Sequence, residues 1–557
     1  MTNTSSNSTN SVVSGLGRPP CLKGMFCEGR ITCYPKLAWR PISFQPHFEP
    51  ENAQNPGVVV LVLSVLISLI VTATSHAGIF IEPYLQNPQT DGMTVLWWTD
   101  NSQASSQIEY GQGNYDTTAS ASNEYVSSLG KYKHEVTISG LSAESSYDYR
   151  VNSGGTLSGA YALSTMKNRS SNFRISVLGD GRTDNTTVLS RHRTVLNQAA
   201  DRGSDIIFEA GDMVYSGSAA HWENLYRQVL TSSASSSTVA SRIPFHTAVG
   251  NHEIYDGSYP GGNLTTSMAR YKALMSNPAN GSINSDWEER YYSIKYGAAT
   301  FIILDANNTS DNGLDNHDYL NDGDTPDWEP GSEQHIWMVN ELQKAQNDGA
   351  FTFVMMHPSP YSSGVHGDPN DSQRGIELRV LDPIFRQYGV DAVLASHDHL
   401  VEHSLTGPSG FESGMDVTDP DNLNYITMGN SGQASRGADT GWETWMDITG
   451  NNSAPFYTTY FYGWAGNDSL ASSLDINFIN QQDGTWRADF QIVRSDGNTF
   501  DPFSLVRTEV TASISGDANR NGFVDEADAA VLAQLANPQR RYLGHGRLQR
   551  RLCGERY

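Results

Sequence analysis

RISVLGD, residues 174–180, is a short apolar run that stops abruptly at a glycine and an acid. The same form recurs in DIIFEAGD (205–212), IPFHTAVGNHE (243–253), TFIILDA (300–306), FTFVMMH (351–357) and DAVLASHDH (391–399). Runs of this length, apolar on both faces, read as buried strands. Each would deliver its last residues to one edge of a sheet. Between some of them lie helical stretches, as at 333–347, where Met338, Leu342 and Ala345 recur at i, i+4 and i+7. The pattern predicts a layered α/β core whose strand-end loops form the site. Further strands at 472–479 and 485–494 suggest the second sheet of a sandwich flanked by helices.

Upstream of this core the rhythm differs. From Gly78 to about Met166 the chain alternates in short runs, MTVLWWT (93–99), HEVTISGL (134–141) and YDYRVNSG (147–154), separated by turn clusters. That spacing predicts a small antiparallel β-sandwich. Residues 1–57 are rich in Ser, Asn and Pro, and read as a disordered or non-native extension. The uncharged run VVVLVLSVLISLIV (58–71), followed by Ser75-His76-Ala77, has the length and cleavage pattern of a signal peptide over 58–77. Export is the expectation, with a retained signal anchor as the alternative.

Composition bounds the function classes. The chain has 557 residues, 38% apolar and 17% charged, which suits a folded, loop-rich protein of several domains. A net charge of −25 argues against a nucleic-acid partner, since a phosphate backbone needs a positive counter-surface. The four cysteines, Cys21, Cys27, Cys33 and Cys553, lie in the terminal segments, so neither a disulfide framework nor a cysteine metal site carries the fold.

Taken singly, an Asp or His at a loop start usually caps a helix or turn. The set is more informative. Asp180, Asp212, Tyr215, Asn251, His357, His397 and His399 follow strands in order, and together supply three anionic oxygens, an amide oxygen and three imidazoles. That is enough for two metal ions sharing one carboxylate.

These blocks resemble the metallophosphoesterase superfamily and, within it, the purple acid phosphatases, over roughly residues 78–505. The broader superfamily begins Asp-x-His, whereas the third residue here is Arg182, which cannot ligate. The purple acid phosphatases place a tyrosine three residues after the bridging Asp, where Tyr215 stands. The resemblance implies that Asp180, Tyr215 and His399 bind a first ion, Fe(III), that Asp212 bridges, and that Asn251, His357 and His397 bind a second ion, Fe, Zn or Mn. It also implies proton donation by His252, and a substrate-facing role for His366. Two cations sharing a water would lower its pKa and supply hydroxide to attack a phosphate ester. Segment 78–168, notably EPYLQNP (82–88), resembles the fibronectin-like domain that precedes these catalytic domains, here 172–507. Where many members carry a Tyr and an Arg after the last metal-binding His, this chain has Val401 and His403.

A separate motif lies at 514–536. Asp517, Asn519, Asn521, the carbonyl of Phe523, Asp525 and Asp528 fit the oxygen spacing of a calcium loop, with Gly522 at the turn. It resembles one dockerin repeat, which implies Ca2+ and a cohesin-like partner, although a dockerin has two. Six arginines crowd residues 540–557, a basic tail unlike the rest of the chain. The sequence thus predicts an exported acid phosphatase acting on small phosphomonoesters. A phosphodiesterase or nucleotidase on the same metal core is the alternative. From another class, a surface interaction protein with an inert middle domain remains to be separated.

Overall fold

The computed structural model describes residues 78–508, apart from 104, 231–232, 235–236, 258–262, 308–324, 349, 369–370, 372, 409–414, 420, 437–456 and 463–469. The expected extension, signal peptide, calcium loop with its six candidate ligands, and basic tail lie outside the described residues.

The N-terminal region is two antiparallel sheets. One has the order Ile79–Gln86, Met93–Thr99, Lys131–Ile138, Glu124–Val126; the other runs Thr117–Ser120, Ser106–Gly111, Ser146–Ser153, with Thr156–Leu157 and Tyr161–Ser164 both paired to the last. Leu85, Val95, Trp97, Ile108, Tyr149 and Val151 fill the space between them. The strand Met93–Thr99 is buried at every residue, which a two-layer sandwich alone does not require. Val95 and Trp97 face the sandwich interior, while Leu96 and Trp98 join a core built with the helices that follow, including Leu196, Met268 and Leu274. Hydrogen bonds seal the seam: Trp98 Nε1 donates to Tyr84 Oη (3.0 Å), Tyr84 Oη to the Leu274 carbonyl (2.9 Å), and Tyr149 Oη to the Ser241 carbonyl (2.8 Å). The two regions predicted as separate domains therefore share one core.

The catalytic region is the expected sandwich of two sheets. The first has the order Phe245–Thr247, Ile206–Glu209, Phe173–Leu178, Ser472–Asn480, Thr485–Arg494, Thr499–Thr508, its first three strands parallel. The second runs Tyr292–Tyr296, Ala299–Ile303, Phe351–Pro358, Ala392–Ser396, Leu423–Met428, Val401–Thr406, Tyr457–Tyr462, with four parallel strands at its centre. Ile175, Val177 and Phe208 of one sheet meet Phe301, Phe353 and Leu394 of the other. Helices cover the outer faces. Thr186–Asp201 starts where Asn185 Oδ1 accepts from the amides of Thr187 and Val188 (3.0 and 3.1 Å), and buries Val188, Leu189, Val195, Leu196 and Ala199 on one stripe. Glu333–Asp348 covers the other sheet with Met338 and Leu342. Every parallel strand named from sequence points its C-terminal end to the same edge, and the candidate ligands sit there.

Candidate metal centre

Each ligand candidate stands where a buried strand gives way to a loop. Asp180 follows Phe173–Leu178, Asp212 follows Ile206–Glu209, Asn251 opens a short helix after Phe245–Thr247, His357 is the penultimate residue of Phe351–Pro358, and His397 follows Ala392–Ser396. Asp180, Asp212 and His397 have left-handed backbone, with φ of 51°, 55° and 74°. None is glycine, so each conformation costs of order 1 kcal/mol and is held by its surroundings. Gly211 (φ 89°) and Gly250 let the two loops touch: a Cβ at Gly211 would lie 2.6 Å from His357 Nδ1, and one at Gly250 would fall on the Asp212 amide.

Four candidate donor atoms of one half-site converge. His357 Nε2 is 3.0 Å from Asn251 Oδ1, 3.1 Å from His397 Nδ1 and 3.2 Å from Asp212 Oδ1. The opposite ring nitrogens are committed elsewhere: His357 Nδ1 donates to the Ala210 carbonyl (2.8 Å) and His397 Nε2 to that of Gln373 (3.0 Å). Both inward-facing nitrogens therefore face two oxygens, an arrangement that a positive charge at this point, a proton on His357 or a metal ion, reconciles. Burial disfavours charge at His357, yet the Asp212 and Asp180 carboxylates raise its pKa to about 9. That negative field is what a bound cation would meet. Burial, with His366 and His357 alongside, pushes His397 well below the usual imidazole range, keeping it a neutral donor.

The other half-site is centred on Asp180. Its Oδ2 accepts from Ser396 Oγ and from the His397 amide (2.7 Å), while its fully buried Oδ1 has no hydrogen-bond donor among the described residues and faces His399 Nε2 at 3.3 Å. Asp212 is close enough to Asp180 to oppose its ionisation, and burial at its own carboxyl is outweighed by His252 and His357, which hold it well below the usual range. The Tyr215 ring is brought to this side, 5.7 Å from that of His252 and 5.2 Å from the Arg182 guanidinium. The residues present thus fit a two-ion centre.

His252 and His366 line a cavity of ≈ 130 Å³ together with Asp212, Asn251, His397 and His399. His252 Nδ1 donates to the Tyr215 carbonyl (2.6 Å), leaving Nε2 3.7 Å from Asp212 Oδ2. Burial pushes its pKa down to about 4, against the opposing Asp212 charge. His366 stacks on the His397 ring (4.0 Å between centroids), and its Nδ1 is 2.8 Å from Asp371 Oδ1.

Two family models match regions of the chain. Residues 184–401 match the calcineurin-like phosphoesterase model, and residues 81–166 match the N-terminal domain of purple acid phosphatases. The chain therefore carries a calcineurin-like phosphoesterase domain behind an N-terminal domain of the purple acid phosphatase type. It resembles human acid phosphatase type 7, at 24% identity over 57% of this chain and 69% of that one, and a purple acid phosphatase of Glycine max, at 25% over 61% and 69%. In fold, this phosphoesterase matches purple acid phosphatase PPD1 from yellow lupin seeds with a TM-score of 0.57 at 17% identity, covering 76% of this chain and 74% of that one. A hydrolase acting on phosphate esters follows, and the inert-spacer reading falls.

Of the departures at Val401 and His403, the structure accounts for both. Val401 is core, and His403 is buried between Asp501 (2.7 Å to Oδ2), Asn424 (2.9 Å to Oδ1) and the Phe503 ring. Sequence reading missed Gln373 and Arg436, which line the cavity, and gave Arg182, beside them, no positive role. Arg436 follows the strand Leu423–Met428, so the strand-end pattern of NYITMGNSG (424–432) was the signal available.

Proposed function

We propose that this chain is an exported acid phosphatase that hydrolyses phosphomonoesters with two metal ions. Asp180, Tyr215 and His399 would hold Fe(III), Asn251, His357 and His397 a second Fe, Zn or Mn, and Asp212 would bridge. The observation that carries this is the convergence of Asn251 Oδ1, His397 Nδ1 and Asp212 Oδ1 within 3.2 Å of His357 Nε2. Ions bound there supply an activated water and stabilise charge on the phosphoryl oxygens.

The chain's own residues supply the rest. His357 and His397, locked to the Ala210 and Gln373 carbonyls, would hold the second ion with little reorganisation during the reaction. His252 presents Nε2 to the cavity, and its low pKa confines a proton at that atom to acidic solution. His366 has its Nδ1 held by Asp371, which orients Nε2 for a proton transfer to a leaving alkoxide. Export is supported by the signal-like run 58–77, and Ca2+ binding by the loop at 517–528. The two-sheet order of the N-terminal region supports a fibronectin type III-like assignment. The test is hydrolysis of a phosphomonoester and a phosphodiester by metal-analysed protein across a pH series. Two ions per chain with faster monoester turnover in acid is the expected result; diester turnover as fast, or activity without metal, would refute it.

A further inference from the structure

The cavity over the metal centre holds two guanidinium groups that the metal ligands do not explain. Arg182 enters from the loop after Asp180, its Nη1 3.4 Å from His399 Nε2 and its buried Nε without a hydrogen-bond partner among the described residues. Arg436 enters from the far side, anchored by its amide to the His399 carbonyl (2.6 Å), with Nη1 3.5 Å from His366 Nε2. Both line the same cavity.

Among the described residues neither has a carboxylate within ion-pair distance, in a protein whose net charge is −25. The contrast with other arginines is sharp. Arg174 and Arg202 share Asp475 at 2.6 and 2.9 Å, Arg290 holds Asp305 at 2.7 Å, and Arg507 holds Asp391 at 2.5 Å. Among the described residues acidic groups are abundant, yet none pairs with these two cations, which both line the site. An unneutralised guanidinium in a concave site is a recognition element for carboxylate or phosphate.

Charge balance says which anion they await. On the proposed two-ion reading, Fe(III) with a divalent ion would bring five positive charges, and Asp180, Asp212, the Tyr215 phenolate and the nucleophilic hydroxide would remove four. The dianionic phosphoryl group of a monoester then leaves one negative charge in excess. Arg182 and Arg436 add two positive charges, so one has no counterpart in the transferring group. We propose that Arg182 and Arg436 are substrate-binding residues for a second anionic group on the leaving portion, and that the preferred substrates are phosphate monoesters bearing a carboxylate or a second phosphate. This inference rests on the phosphatase reading for its turnover arm only.

Two matched pairs test it on the metal-loaded full chain: glycerol 3-phosphate against 3-phosphoglycerate, and fructose 6-phosphate against fructose 1,6-bisphosphate. The anionic member of at least one pair should be favoured in kcat/KM by roughly tenfold or more, the worth of one charged hydrogen bond. The pair that shows it identifies carboxylate or phosphate as the group. Arg182→Gln with Arg436→Gln should bring that ratio near one, and the corresponding Lys variants should keep part of it. Calorimetric affinity for the same four esters reads the anion site whether or not they turn over. A preference in affinity without hydrolysis would uphold the anion site while refuting the phosphatase reading. Equal affinity within both pairs, or a preference that survives the double Gln substitution, would overturn the proposal.

Discussion

Glu253 accepts the backbone amide of Asp212 through Oε2 at 2.8 Å, so the residue two places after one ligand candidate clamps the loop that carries another. The same carboxylate takes the Gly250 amide on Oε2 (2.8 Å) and the amides of Met213 and Val214 on Oε1 (2.8 and 3.2 Å). Four buried donors thus depend on one side chain, which also sustains the left-handed turn at Asp212.

Glu253→Gln should therefore damage the centre without touching a ligand. The new amide nitrogen would face N–H donors, leaving at least one unsatisfied at a cost of about 3 kcal/mol. Lower thermal stability and weaker metal binding, read by calorimetry and metal titration, are the expected outcome. Unchanged values for both would show that the clamp is dispensable.

Asp212→Asn tests the bridge itself. On the proposed reading one carboxylate is asked to hold two cations, so its neutral replacement should abolish turnover and loosen both ions. Metal analysis after dialysis is the measurement. Full metal content with near-normal activity would remove Asp212 from the bridging position.

Tyr215 decides the identity of the first ion. A phenolate is a hard anionic donor that favours Fe(III) and transfers charge to it in visible light, so the purified protein should be pink to purple. Tyr215→Phe should erase the band, while Asn251, His357 and His397 still hold their ion. A colourless, iron-free wild type with a full metal complement would instead indicate zinc or manganese.

Stability should respond to pH through Glu402, which is fully buried. Burial raises its pKa to about 7, against hydrogen bonds from Ser363 (amide at 2.8 Å) and Thr458 (2.8 Å). A folded-state pKa above the unfolded value means a contribution fully present below about pH 4.5 and lost as pH rises through about 7. The shift corresponds to roughly 3 kcal/mol. Melting temperature should accordingly fall between those limits, and Glu402→Gln should flatten the decline. An identical slope in that variant would place the effect elsewhere.

The strand ends were legible because a buried parallel strand has no polar face to interrupt it. FTFVMMH and RISVLGD announce both their burial and the point at which burial stops. Ligands fixed to such ends inherit that clarity. The strand Val401–Thr406 was not legible, since it buries Glu402, His403 and Ser404 by pairing them with Ser363, Asp501 and their neighbours rather than by being apolar. Nor was the cavity wall, because Gln373 and Arg436 sit on loops whose course is set by the sheets beneath them. Likewise, MTVLWWT revealed a strand but not that both its faces were claimed.

That strand sets the mechanical character of the molecule. A module on a tether can swivel, unfold alone and be traded between proteins. With Val95 and Trp97 turned one way and Leu96 and Trp98 the other, removing the sandwich would strip apolar cover from the helices around Leu274 and Met268. The N-terminal region behaves as the wall of the catalytic body. Heating the protein should produce one cooperative endotherm spanning residues 78–508, and a chain beginning at 172 should aggregate rather than work as a smaller enzyme.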